Sequence, residues 1–136
     1  MKHRIGWALA LSLAVAGWIT APTAALADHH EGPAVSQVIV VDVAPQNMEA
    51  YMGYVKRAQG IAKDLGLPPF QVLRATFSGD STGTVAIIIE AESLAALAAN
   101  QAKTAGSEQW KKMVSDIQKA GISRVTSRSI WEDVTP

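Results

Sequence analysis

The chain of 136 residues contains no cysteine. That excludes disulfides, cysteine nucleophiles, iron–sulfur clusters and thiolate zinc sites, so the fold must rest on its core and on any oligomer interface. Histidine is nearly as scarce. His3, His29 and His30 are the only three, so everything after residue 30 lacks an imidazole for haem ligation or proton transfer. No basic stripe runs along the chain either, which removes nucleic acid as an expected partner.

What is present begins with an export signal. Lys2, His3 and Arg4 form a basic start, and Ile5 to Ile19 is apolar. That run is shorter than the roughly 20 residues a membrane-spanning helix needs. Small residues come next and end in Ala25-Leu26-Ala27, a small-x-small cleavage pattern. Residues 1–27 are therefore read as a signal peptide rather than an uncleaved anchor, and the absence of cysteine excludes a lipid-modified one. The expected location is outside the cytoplasm, periplasmic in a Gram-negative cell and secreted otherwise, with no membrane contact after cleavage. Cleavage removes Lys2 and Arg4 from the 12 basic residues, leaving 10 against 12 acidic ones, a net charge of −2 on 109 residues. That length makes one domain.

Residues 28–35 are polar and broken by Gly32 and Pro33, as in a flexible arm. Residues 36–134 form the expected domain. Val38 to Val41 is β-branched throughout and anchors a strand over 37–43. Pro45 ends it and suits a helix start. Met48, Tyr51, Met52, Val55, Ala58, Ala62 and Leu65 then recur at three- and four-residue steps, predicting a helix over about 46–65 that Gly66 caps. Gly53 and Gly60 share a stripe of that helix, which suggests close packing on a neighbour. A second strand is predicted over 70–77 and a third over 84–92. Ser78 to Gly83 between them is a turn that makes the pair an antiparallel hairpin. This glycine-containing turn opens no helix, so it is not a phosphate loop. Ser93 can cap a second helix. Its pattern breaks at Thr104-Ala105-Gly106 and restarts at Ser107, with Trp110, Met113, Val114 and Ile117 on one face and Gly121 at the end. A last strand spans 122–131. The order is βαββαβ, an α+β chain.

Parity along the strands sorts side chains onto two faces. Ile39, Val41, Val43, Leu73, Ala75, Phe77, Val85, Ile87 and Ile89 are all apolar and are expected under the helices. The opposite set joins Val38, Val40, Val72, Ala86 and Ile88 to Asp42, Arg74, Thr76, Thr84 and Glu90, and takes in Arg124, Thr126 and Arg128 of the last strand. Two helices can cover one face of a sheet. A second face this apolar needs a cover from outside the chain, and its charges suit an ion-paired rim or a polar pocket. A homodimer is the expected partnership.

The βαββαβ order, the hinged second helix and the segment Ser107-Glu108-Gln109-Trp110 resemble the dimeric α/β-barrel superfamily, which includes antibiotic-biosynthesis-monooxygenase-like and NIPSNAP-like domains. Many members have an Asp-Pro-Glu-Trp type segment at that restart; Trp110 matches and the proline is absent. The resemblance covers about 36–134. It implies a ferredoxin-like subunit with a four-stranded antiparallel sheet that packs on a second copy. Any ligand would lie between sheet and helices or inside the barrel. It carries over no catalytic residue.

Asp42, Arg74, Thr76, Glu90, Arg124 and Arg128 are the candidate pocket residues. The arginines either bind an anionic ligand or pair with Asp42 and Glu90. Asp42 and Arg74 are the catalytic candidates, Asp42 as a general base. Met48, Met52 and Met113 belong to the core, and Trp110 is read as a core anchor. Cleavage after Ala27 would leave Asp28-His29-His30 at the amino terminus. A free amine, two amides and the His30 imidazole can enclose Cu(II) or Ni(II) in square-planar geometry; no other cofactor is expected. These residues allow three functions: a dimer binding a small organic ligand or a protein, a cofactor-independent monooxygenase- or isomerase-like enzyme, and metal binding at the amino terminus.

Overall fold

The computed structural model describes residues 32–76, 79–81 and 83–136. The expected signal peptide, residues 1–27, the Asp28-His29-His30 segment and Phe77 lie outside the described residues.

Nine residues of unbroken extended backbone, Val35–Val43, form β1. It begins two residues before the predicted start: Val35 is buried, and the Asp133 N–H donates to the Ala34 carbonyl at 2.9 Å. Pro45–Asn47 makes one 3₁₀ turn and leads into α1, Met48–Asp64. Leu65 closes that helix and Gly66 comes next at φ 68°, a left-handed position that favours glycine. β2 is short, Gln71–Arg74, and β3 spans Val85–Ala91. The Ser93 hydroxyl accepts the Ala96 N–H at 3.1 Å and starts α2, Leu94–Gly106. The predicted break falls at Ser107, whose backbone is extended and whose hydroxyl accepts the Trp110 N–H at 3.2 Å. α3 then runs Glu108–Ala120 to Gly121 at φ 63°, and β4 is Ser123–Glu132.

The four strands lie in the order β2-β3-β1-β4, and every neighbouring pair is antiparallel. With the helices on one side, this is the ferredoxin-like α+β arrangement. One core cluster joins Val41, Val43 and Val85 of the sheet to Tyr51 and Val55 of α1. A second, farther along α1, joins Ala58 and Ile61 to Met113, with Trp110, Val114 and Ile117 packed against it. Trp110 is thus a packing residue at the junction of α1 and α3. Burial pushes the Tyr51 phenol above its ordinary pKa.

Residues opposite each other in an antiparallel ladder share a face, so the register tests the parity assignment. β1 and β3 are sorted as expected. Val35, Gln37, Ile39, Val41 and Val43 alternate with Ser36, Val38, Val40 and Asp42, and the buried members are all in the first set. β2 is reversed. Val72 lies opposite Ile87 and Arg74 opposite Val85, so both face the helices; Leu73 lies opposite Ala86 on the open face and is 52% exposed. Val72 and Leu73 are adjacent and both apolar, so hydrophobicity could not choose between registers one residue apart. Ala75 and Thr76 lie beyond β2. The Ala75 N–H donates to the Thr84 carbonyl, and the Thr76 hydroxyl reaches the Arg74 carbonyl at 3.5 Å.

β4 departs from simple alternation as well. Its pairing with β1 slips between Val40 and Val41, where Ser127 and Val125 are the successive partners and Thr126 is extra. This bulge shifts the two sides of β4 by one position relative to each other. Arg124 therefore lies opposite Asp42 on the open face, whereas Arg128 lies opposite Ile39 on the helix side. The glycine stripe on α1 also has a different meaning. Gly53 and Gly60 are exposed, and a Cβ at either would meet nothing within 4 Å, so they serve no close packing.

Candidate functional site

The sheet presents two unlike faces. On the open face, lateral rows can be read from the register. Leu73, Ala86, Val40 and Ser127 form one; Gln71, Ile88, Val38 and Ser129 form the next. Apolar side chains fill the β3 and β1 positions at its centre, joined by Leu73 of β2, and no described element of the chain crosses them. At one end of the face Arg124 donates to Asp42 at 3.1 Å, with 78% and 47% of the two side chains exposed. At the other end Glu90, Ser36 and Trp131 form a row. Trp131 is 64% exposed, and its indole N–H donates to the Ser129 hydroxyl at 2.9 Å. That bond holds the ring on the face with its apolar surface uncovered.

The six candidate pocket residues are therefore not brought together. Asp42 and Arg124 meet as an ion pair, and Glu90 shares their face at the far end. Arg74 and Arg128 lie on the helix side at opposite edges of the sheet, separated by roughly 14 Å of strand spacing. Thr76 sits in the bend after β2.

Arg74 has its own surroundings. It borders a hollow of about 200 Å³ at the β2 edge, lined also by Met48, Met52, Val72, Leu73 and Val85. Met48 and Met52 are one helical turn apart on α1 and half-buried, so they pack on the core and also wall this space. A second hollow, of about 280 Å³, lies past the end of α1 beside Lys63, Pro68 and Phe70. Sequence reasoning placed both methionines wholly in the core and gave Trp131 no role. The readable signal for Trp131 was an aromatic residue near the end of a strand with polar neighbours at Ser127 and Ser129 on the same face.

The remaining charges are structural. Asp116 of α3 accepts from Arg57 of α1 at 2.8 Å and from Lys112 at 3.2 Å, and these hydrogen bonds, Arg57 first, hold its pKa below the ordinary carboxylate range. Asp133 is likewise held low, by the Thr135 hydroxyl and N–H. Among the described residues no three His, Cys, Asp or Glu side chains gather to hold a metal ion, and no helix is long and apolar enough to cross a membrane.

No protein-family model matches this chain, and no curated protein matches its sequence. Solved structures do match its architecture. A NIPSNAP family protein from Agrobacterium tumefaciens superposes with a TM-score of 0.57 at 19% identity, over 79% of this chain and 94% of its own. A candidate antibiotic biosynthesis monooxygenase from Nitrosomonas europaea gives 0.53 at 12% identity, over 78% and 95%. The chain has the fold of NIPSNAP-like and antibiotic-biosynthesis-monooxygenase-like proteins. A conserved protein of unknown function from Bacteroides thetaiotaomicron, described as a possible oxidoreductase, gives 0.54 at 14% identity, over 74% and 98%. Identities this low establish the NIPSNAP-like fold and leave the activity open.

Proposed function

We propose that the protein is an exported homodimer in which two copies close their open sheet faces on each other, and that the resulting α/β barrel binds a small organic ligand. The observation that carries this reading is the uncovered apolar centre formed by Val38, Val40, Leu73, Ala86 and Ile88. Strands of four, seven, nine and ten residues, at about 4.8 Å spacing and about 3.3 Å rise, give a face of roughly 475 Å². Two such faces together remove roughly 950 Å² from water, close to the ~1,000 Å² of a specific interface before flanking loops and helix ends are added. A second copy also brings Trp131, an exposed aromatic anchor of the kind that dominates interface energies.

Binding is favoured over catalysis by the placement of the candidate residues: Asp42 is paired with Arg124 at one end of the open face, Glu90 lies at the other end, and Arg74 and Arg128 lie on the helix side at opposite edges. Export rests on the sequence of residues 1–27, and amino-terminal sequencing of the purified protein should begin at Asp28.

Native mass spectrometry of the protein from its own source tests the reading. The expected spectrum is a dimer carrying a small-molecule adduct that denaturation releases. A bare monomer at micromolar concentration would overturn it.

A further inference from the structure

We infer that the hollow beneath Met48 and Met52 is a binding site for a small organic carboxylate, and that Arg74 holds the acid group. The inference rests on the ligand-binding reading above and goes beyond it in naming the place and the chemical class.

Arg74 is the last residue of an edge strand, and its partner across the ladder is Val85, which is 1% exposed. A permanently charged group thus stands at the rim of a space floored by one of the most buried side chains in the molecule. The other lining residues, Met48, Met52, Val72 and Leu73, are all apolar types, although the Leu73 side chain turns to the open face. Two other arginines are matched to carboxylates, Arg57 to Asp116 at 2.8 Å and Arg124 to Asp42 at 3.1 Å, whereas Arg128 on the opposite edge strand joins no ion pair among the described residues. Among the described residues Arg74 enters no ion pair. Arg74 lines the hollow, and among the described residues no carboxylate takes its donors.

The lining specifies the ligand. One cation among apolar walls matches one anion on an apolar body. A guanidinium forks onto the two oxygens of a carboxylate. A phosphate monoester would bring a second charge, and no other cation lines the space. At about 200 Å³ the hollow is smaller than the 300–1,000 Å³ of ordinary ligand pockets, so the body is a single ring or a short chain. Thioether side chains adapt to either shape.

The test is a titration of the purified protein with benzoate and hexanoate, and with the neutral benzamide and hexanamide. It is followed by calorimetry and by the methyl resonances of Met48 and Met52. The acids should bind saturably, shift both methionine methyls, and outbind their amides by about tenfold or more. Arg74→Gln should remove that preference while leaving the dimer mass unchanged. Arg74→Lys should keep part of it. Acids and amides binding equally, or benzoate binding Arg74→Gln as tightly as the parent, would overturn the carboxylate assignment and leave ligand binding standing. If none of the four compounds binds while native mass spectrometry shows another adduct, the site falls and the broader reading survives. If no adduct appears either, both fall.

Discussion

At the β1–β3 centre of this sheet the two faces are built from nearly the same amino acids and have different fates. On the helix side, Val41 and Val85 are 3% and 1% exposed under α1. On the open side, Val40 and Ile88, in the same strands, are only partly buried because no described element lies over them. Hydrophobicity alone says that both faces want burial. Topology decides which one the chain can bury by itself, because both βαβ crossovers place their helices on one side. The open face is left as a surface whose composition suits contact with its own copy.

The sharpest way to break that comparison is to put the same charge on each face. Val41→Asp and Val85→Asp should abolish folding, because they bury an uncompensated carboxylate; circular dichroism would show the loss. Val40→Asp and Ile88→Asp should keep the circular dichroism spectrum and abolish the dimer, read by sedimentation. Truncation gives the next largest contrast. Leu97→Ala, at a residue of α2 that is 2% exposed, should cost about 2–5 kcal/mol in a denaturant melt. Trp131→Ala should change the stability of the protomer by only about 0.5 kcal/mol, yet raise the dimer dissociation constant by about thirtyfold or more.

Smaller effects sharpen the account of α1. Gly53→Ala and Gly60→Ala should each stabilise the protein by about 0.5–1 kcal/mol, since both positions are helical, exposed and sterically open. A loss of stability would show that something packs on that stripe after all. The smallest effect concerns Asp116. Its folded pKa is depressed, so the stability it contributes is present above the ordinary carboxylate pKa and is lost as pH falls through its own lower value. Asp116→Asn should therefore melt slightly below the parent at pH 7, and the gap should close in acid. Because the ion pair lies at the surface, salt should narrow the gap too.

Some features were legible in the sequence and others were hidden for physical reasons. Long alternation fixed the faces of β1 and β3. Caps and breakers, such as Ser93, Ser107 and Gly121, fixed the helix ends and the hinge between α2 and α3. The face of β2 was not legible. Val72 and Leu73 are interchangeable to a hydrophobicity argument, and only the packing of Phe70 and Val72 on the α1 cluster sets the register. Arg128 was misplaced by the bulge at Thr126, which no residue type announces. These two misreadings had one consequence: three arginines expected around a common pocket are distributed over two faces and two edges. The observed register of β2 puts Arg74 on the helix side, in the company of Met48 and Met52.

Sedimentation equilibrium of the parent protein beside Val40→Asp tests the central claim most directly. The account predicts twice the chain mass for the parent at micromolar concentration and a folded monomer for the variant. A parent that is folded and monomeric, or a variant that remains a dimer, would contradict it.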